Sequence, residues 1–459
     1  MTTPRHIAVI DIGKTNAKLA LVDLSTLTEM AVVTRPNIVK SAPPYPHYDV
    51  DEHWAFLLDA LATFHRDHRV DAISVTTHGA CIALLDSNGA LAAPILDYEH
   101  TYPAETVNAY DAIKPDFSKT GSPKLAGGLN IGAQLHWLFT SNPTLKSRTA
   151  QIVTYPQYWG HRLTGVTATD VTSIGCHTDL WNPYDGTFSD LPEKLGIRDK
   201  IAPVRRPSDI LGPILPEIAK ATGLARDTPV CVGIHDSNAS LYPHVVSRDG
   251  PVSVVSTGTW VIVMSMKTGG AATLDPARDT LVNVNAYKHA VASARFMGGR
   301  EFEVIQQGQR VEPTEQDVLV VLNGPRMLLP SVEIGSGPFQ GRQMQWHGGE
   351  PAVATGQRSA ALSFYLALMT GTCLNLVEGA GPTIVEGPFA RNPEYLAMLH
   401  AVTARPVFTN SAVTGTSIGA AMLLGGDEFR PELDQFETAL PLDALRTYAD
   451  LWTGQAGAE

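Results

Sequence analysis

Apolar and polar positions change period several times along the chain, and each change predicts an element. Residues 6–24 read as two apolar strands joined by a short polar tip, with Asp11, Gly13, Thr15 and Asn16 at the turn. Trp54, Leu57, Leu58, Leu61 and Phe64 then recur at helical spacing, and 72–77 is a β-prone apolar run. Residues 80–86, the turn Ser87-Asn88-Gly89 and residues 91–98 predict a second hairpin. Helical patterns follow near 128–140, 152–163 and 216–223.

The opening device returns at 251–266, again strand, small polar turn, strand, now with Ser256, Thr257, Gly258 and Thr259 at the tip. Two such hairpins, each opening about half of the chain, suggest a duplicated domain with a phosphate cradled between the halves. A long helical pattern covers 360–378, a buried strand 383–387 ends in glycine, and helices are expected at 392–404 and 416–425. From about residue 427 the chain reads as an acidic tail region with one amphipathic helix.

With 459 residues, of which 44% are hydrophobic, the chain exceeds one ordinary domain and supports two cores. The boundary predicted is 1–244 followed by 245–459. A formal net charge of −12 argues against nucleic acid or an anionic membrane as partner. Cys81, Cys176, Cys231 and Cys373 lack disulfide or zinc spacing, so buried reduced thiols are expected. No basic segment with an apolar core precedes the first strand, and no apolar run reads as long enough to span a bilayer, which together predict a soluble cytoplasmic protein.

The first tip combines an acid, a glycine, a hydroxyl and an amide, a set suited to a phosphate chain carrying a metal. Asp11 can hold Mg²⁺ directly or through water, Gly13 lets backbone N–H groups approach phosphate, and Thr15 and Asn16 add donors. An ordinary β-hairpin fits the same residues. Gly13-Lys14-Thr15 imitates the end of a Walker A loop, but Ala8 stands where that motif needs glycine and the following residues alternate as a strand. His65 and His68 share a helical face without a third ligand and read as solvated.

In order along the chain, AspIleGlyLysThrAsn (11–16), GlyIleHisAspSerAsnAlaSer (233–240) and SerThrGlyThrTrp (256–260) resemble the FGGY family of carbohydrate kinases. ValThrThrHisGlyAla (75–80), LeuThrGly (163–165), ThrAspValThr (169–172) and the His235-Asp236 pair resemble its L-fuculokinase and rhamnulokinase branch. The family's usual lysine is replaced by Gln134, its double glycine by Glu386-Gly387, and residues 300–358 follow none of its patterns.

The resemblance implies an α/β fold of two actin-like, ribonuclease-H-like domains with a cleft between them. It makes Asp236 the general base, for which a helix N-cap is the plain alternative. His235 would contact the sugar, as would His78, Gly79, Glu99 and Gln157, for which core or surface roles remain open. Gly13, Thr15, Asn16, Thr257, Gly258, Thr259, Gly387 and Asn392 would hold ATP, and Asp11 the Mg²⁺. The expected activity is phosphorylation of a ketose, a deoxyhexulose or pentulose, by ATP. A tetritol or glycerol-like polyol kinase and a catalytically silent sugar-binding relative are the rivals. The partners expected are sugar and ATP, with neither nucleic acid nor membrane, and a homodimer as the candidate assembly.

Overall fold

A computed structural model describes residues 4–247, 250–266, 273–409, 415–425, 430 and 432–457. The chain divides into two compact units, Met1–Ser247 with Val282–Ala290 and Thr414–Pro431, and Arg248–Leu281 with Val291–Val413 and Glu432–Glu459. Each has its own sheet and its own core.

In the first unit, β1 (His6–Ile12) and β2 (Asn16–Asp23) form the predicted antiparallel hairpin, with β3 (Thr28–Pro36) outside it. Helix α1 (Val50–His68) follows, started by the Asp49 carboxylate accepting from Glu52 N, and leads into β4 (Ala72–Thr77). β5 (Ile210–Pro213) and β6 (Pro229–Cys231) complete the order β5-β6-β4-β1-β2-β3, and β7 (Ile234–His235) also pairs with β4. Because β1, β6 and β7 all run parallel to β4, their carboxyl ends reach one edge. Ile12 lies level with Thr77, and so does His235.

Helix α2 (Asp236–Ser247) leaves that edge, and the helix Thr416–Met422 packs against it closely. A Cβ on Gly419 would meet the Ala239 carbonyl oxygen at 1.8 Å. Ser74 on β4 donates to the Ala420 carbonyl at 2.7 Å, which seats the same helix on the sheet.

The second unit repeats the plan. β8 (Val252–Thr257) and β9 (Val261–Met266) form the hairpin predicted over 251–266, and β10 (Ala290–Phe296) lies beside β9. Helix α3 (Gly298–Gln306) follows. Helix α4 (Gly356–Leu376) precedes β11 (Thr383–Glu386), which pairs parallel with β8 as β4 does with β1. Helix α5 (Pro393–Thr403) and strands β12 (Val407–Thr409) and β13 (Asp434–Gln435) extend the sheet to the order β10-β9-β8-β11-β12-β13.

Three expectations change. The predicted hairpin over 80–98 turns as expected at Asp86, whose carboxylate accepts from the N–H groups of Asn88 and Ala90. Its first arm, Ile82–Leu85, however pairs with Gln151–Thr154, because the second arm carries Pro94 and reaches it only through the Leu85–Leu91 bridge. α4 is long and apolar enough to cross a membrane, contrary to the reading of the apolar runs, but 83% of its apolar window is buried inside the protein. The amphipathic helix expected in the acidic tail region is there as α6 (Leu442–Ala456), but it is no tail: it buries Leu445, Tyr448 and Trp452 in the core, and Trp452 Nε1 donates to the Leu328 carbonyl at 2.8 Å. Asp427 and Glu428 lie outside the described residues. All four cysteines are buried, and no disulfide joins them.

Gly419→Ala should destabilise the chain by about 1–3 kcal/mol in urea unfolding, since backbone and not a flexible side chain occupies the Cβ position. Gly454→Ala in α6, where a Cβ meets nothing within 4 Å, should stabilise by about 0.5–1 kcal/mol. Equal effects at the two sites would contradict the close helix contact.

Candidate active site

The aligned strand ends gather an acid, two histidines and a second acid. Asp11 is the penultimate residue of the apolar strand β1 and is 9% exposed. Its Oδ2 accepts from Thr416 Oγ1 at 2.6 Å and faces Lys18 Nζ at 3.1 Å, Lys18 being its cross-strand partner on β2. The tip between them is a tight loop, with Gly13 N donating to the Asn16 carbonyl at 2.9 Å. Asn37 pins that loop, donating from its backbone N–H to Thr15 O and from Nδ2 to Gly13 O, each at 2.8 Å. Thr15 and Asn16 stand exposed at the tip.

His78 follows β4 directly, and its backbone N–H donates to Ile12 O at 2.9 Å. Burial drives its pKa down to about 4, so the ring is neutral at pH 7. Nδ1 lies 2.8 Å from the Gly79 carbonyl, which can only accept; the ring proton therefore sits on Nδ1. Nε2 is left as an acceptor, buried and without a partner. His235 is likewise neutral by burial, with its pKa near 4. Its Nε2 lies 3.4 Å from Asp236 Oδ1, and its Nδ1 is buried without a partner. Gly79 is needed here, since a Cβ would meet His235 Nε2 at 2.5 Å.

Asp236 opens α2, and its Oδ1 accepts from Ser237 N at 2.6 Å. Burial raises its pKa to about 6, His78 opposes the rise, and the negative charge of Asp11 adds to it. The side chain keeps 31% of its surface open, so a ligand can still approach. The His235 backbone is fixed from below: its N–H donates to Thr172 Oγ1 at 3.0 Å, and Thr172 Oγ1 in turn donates to the buried Asp170 carboxylate.

The remaining residues expected to contact sugar fall in different places. Glu99 is 65% exposed and pairs with Lys14 at 3.2 Å. Gln157 is fully buried; its Nε2 donates to the carbonyls of Val232 and Gly233 at 2.9 and 3.3 Å, and its Oε1 accepts from Thr154 Oγ1. That makes Gln157 a strut under the β6–β7 turn. Gln134 is similar, donating to Ala80 O and Gly128 O at 2.5 Å each.

In the second unit, Gly258, Thr259 and Asn392 line a cavity of about 520 Å³ with Gly299, Arg300, Phe302, Arg310 and Phe389. This size suits a nucleoside. A Cβ on Gly299 would meet Gly258 O at 2.0 Å, so the cavity floor needs glycine where α3 crosses the β8–β9 tip. Asn392 caps α5 and also donates to Ser363 Oγ at 2.9 Å. Thr257 and Gly387 are beside the cavity but not in its lining: Thr257 Oγ1 donates to Glu386 O at 2.5 Å and accepts from Phe389 N at 3.1 Å, holding the turn at Gly387.

Sequence reasoning missed Thr416, Lys18, Thr172, Asp170, Lys14 and Asp97 in the first unit, and Phe302, Arg300 and Arg310 in the second. The ThrAspValThr run carried a signal for two of them. Thr416 meets Asp11 across some four hundred residues and Lys14 meets Asp97 across 83, Lys18 reaches Asp11 only through the strand register, and the rest lie in the stretch 300–358 that follows no recognised pattern.

Residues 6–242 match the N-terminal domain of the FGGY family of carbohydrate kinases, and residues 249–432 match the C-terminal domain of FGGY carbohydrate kinases. The chain therefore belongs to the FGGY family. It is 38% identical to a carbohydrate kinase from Novosphingobium aromaticivorans, over 98% of this chain and 100% of that one, with a TM-score of 0.91. An L-fuculokinase from Salmonella typhi is 26% identical over 268 residues, 56% of each chain. The chain thus spans about half the length of the curated relatives it matches. A ligand-bound xylulose kinase from Lactobacillus acidophilus shares the fold at a TM-score of 0.79 and 18% identity.

Because folding raises the Asp236 pKa from its usual 3.8, the folded chain binds more protons than the unfolded one between about pH 4 and 6. Its contribution to stability therefore falls as pH rises through that window and stays low above it. Asp236→Asn should raise the melting temperature at pH 8 and change it much less at pH 4. An identical shift at both pH values in calorimetry would contradict a desolvated Asp236.

Proposed function

We propose that this protein transfers the γ-phosphoryl group of ATP to a hydroxyl of a neutral ketose, a deoxyhexulose or pentulose. The observation that carries this reading is the half-buried Asp236 carboxylate, raised to about pH 6 beside two neutral histidines with unpartnered acceptor nitrogens. Ionised at neutral pH yet unusually basic for a carboxylate, Asp236 takes the proton of the sugar hydroxyl as its oxygen attacks the γ-phosphorus and ADP departs. His78 Nε2 and His235 Nδ1 accept from neighbouring sugar hydroxyls, which orients the sugar and specifies it.

The 258–259 tip, Gly299 and Asn392 hold the adenosine end. Thr15, Asn16 and the backbone around Gly13 serve the phosphates. Among the described residues no cluster of three acids or histidines could cage a metal, which fits a Mg²⁺ that arrives on the polyphosphate and needs a single carboxylate, Asp11. When bound, that ion neutralises phosphate charge. Lys18 and Thr416 orient the Asp11 carboxylate.

Asp236→Asn should lower kcat by at least ~10²-fold in a coupled ADP assay while sugar binding persists. Wild-type kcat/KM should rise with pH through about 6, as the base loses its proton. Asp86→Asn, in the turn after Leu85, should be silent. A near-wild-type rate for Asp236→Asn would contradict the assignment.

Asp11→Ala should weaken use of Mg·ATP far more than sugar binding, which calorimetry with each ligand separates; equal losses would contradict the metal role. Fuculose, rhamnulose, ribulose or xylulose isomers should outrank glycerol and aldoses, since an unmatched buried acceptor costs about 1–3 kcal/mol. Glycerol as best substrate would favour the polyol reading, and no sugar-dependent ADP would favour a silent relative.

A further inference from the structure

Lys14 stands at the tip of the first hairpin, but its ammonium does not point into open water. It pairs with Asp97 and, at 3.2 Å, with Glu99. It also lies over the rings of Tyr98 and Tyr48, with centroids at 4.5 and 5.5 Å. Tyr48 donates its hydroxyl to Asp97 Oδ1 at 3.0 Å. The His78 ring packs 5.4 Å from each of those two tyrosines, and its Nε2 is the buried acceptor without a partner. Only 23% of the Lys14 side chain is exposed, and 8% of Asp97.

The loop does not need this lysine for its shape, because Asn37 already holds both Gly13 O and Thr15 O. We infer that Lys14, Asp97 and Glu99, walled by Tyr98, form a specificity-determining subsite that grips a vicinal diol of the sugar at a distance from the reacting hydroxyl. The inference rests on the kinase reading above and adds residues and a ligand chemistry to it. An ammonium flanked by two carboxylates offers one oxygen a donor and its neighbour an acceptor, each bond strengthened by charge. The aromatic wall receives the C–H face of the sugar.

The same arithmetic selects against acids. Lys14 contributes one positive charge and Asp97 and Glu99 two negative ones, leaving the subsite net negative; on the same sheet edge Lys18 offsets Asp11, and Asp236 adds a further negative charge. An aldonate would meet repulsion there, whereas a neutral ketose does not.

The test compares Lys14→Met, Glu99→Gln and wild type in the full chain, using a five- or six-carbon ketose, the three-carbon dihydroxyacetone, which has no vicinal diol, and gluconate. Calorimetry reads binding and the ADP assay reads turnover. Lys14→Met should raise the KM and Kd of the longer ketose at least tenfold and leave those of dihydroxyacetone and ATP within twofold. Glu99→Gln, exposed and safe for folding, should weaken the longer ketose about threefold and tighten gluconate as an inhibitor. A rise in the KM for ATP would assign Lys14 to phosphate and overturn the inference, as would equal losses for long and short ketoses. Wild-type binding of ketose without ADP formation would remove the kinase reading while the binding arm still tests the subsite. No ketose binding to wild type would overturn both.

Discussion

The parallel register of β1 and β7 on β4 is the constraint on which the first unit depends. It sets Asp11 level with Thr76, and Ile12 and His235 level with Thr77, so that His78 and Asp236 begin where the strands end. Parallel strands released at one edge leave their carboxyl ends facing a crevice, the usual place for a ligand in such sheets. A slip of one residue in β4 would turn His78 to the other face. The contact of Gly419 with Ala239 O then fixes how α2 leaves the edge, and the same helix brings Thr416 to Asp11.

This arrangement trades stability for chemistry. Two neutral histidines with unpartnered nitrogens and a carboxylate raised to about 6 are each unfavourable in a folded chain without ligand. Nearby cores compensate, with Ile10, Ile12, Leu19 and Leu21 of β1 and β2 fully buried. On the proposed reading, desolvation makes the acceptors selective, since a hydroxyl in the wrong place leaves them unpaired. It also makes Asp236 a better base than a solvated carboxylate.

The elements easiest to read in the sequence were those whose stability is local. Both hairpins, the strand 72–77 and the helices near 131–141, 216–222 and 393–403 carry their period and their turns in adjacent residues. The arm 82–85 was misjudged because its partner, 151–154, lies some seventy residues away, and α4 because a core helix and a membrane span share one composition. Among site residues, Asp11, His78, His235 and Asp236 stand in short motifs. Lys14 stands in one as well, but a lysine in a turn reads as solvated, and only the fold brings Asp97 and Tyr98 to it. Gln157 shows the converse, a polar residue in a suggestive place whose amide the structure engages with backbone carbonyls.

Carboxyl and imidazole NMR titration of the ligand-free chain tests most directly the claim that the aligned strand ends form one desolvated site. Asp236 should titrate near pH 6, and His78 and His235 should remain neutral down to about pH 4. An Asp236 titrating near 3.9 with histidines near 6.5, the values of solvated groups, would contradict it.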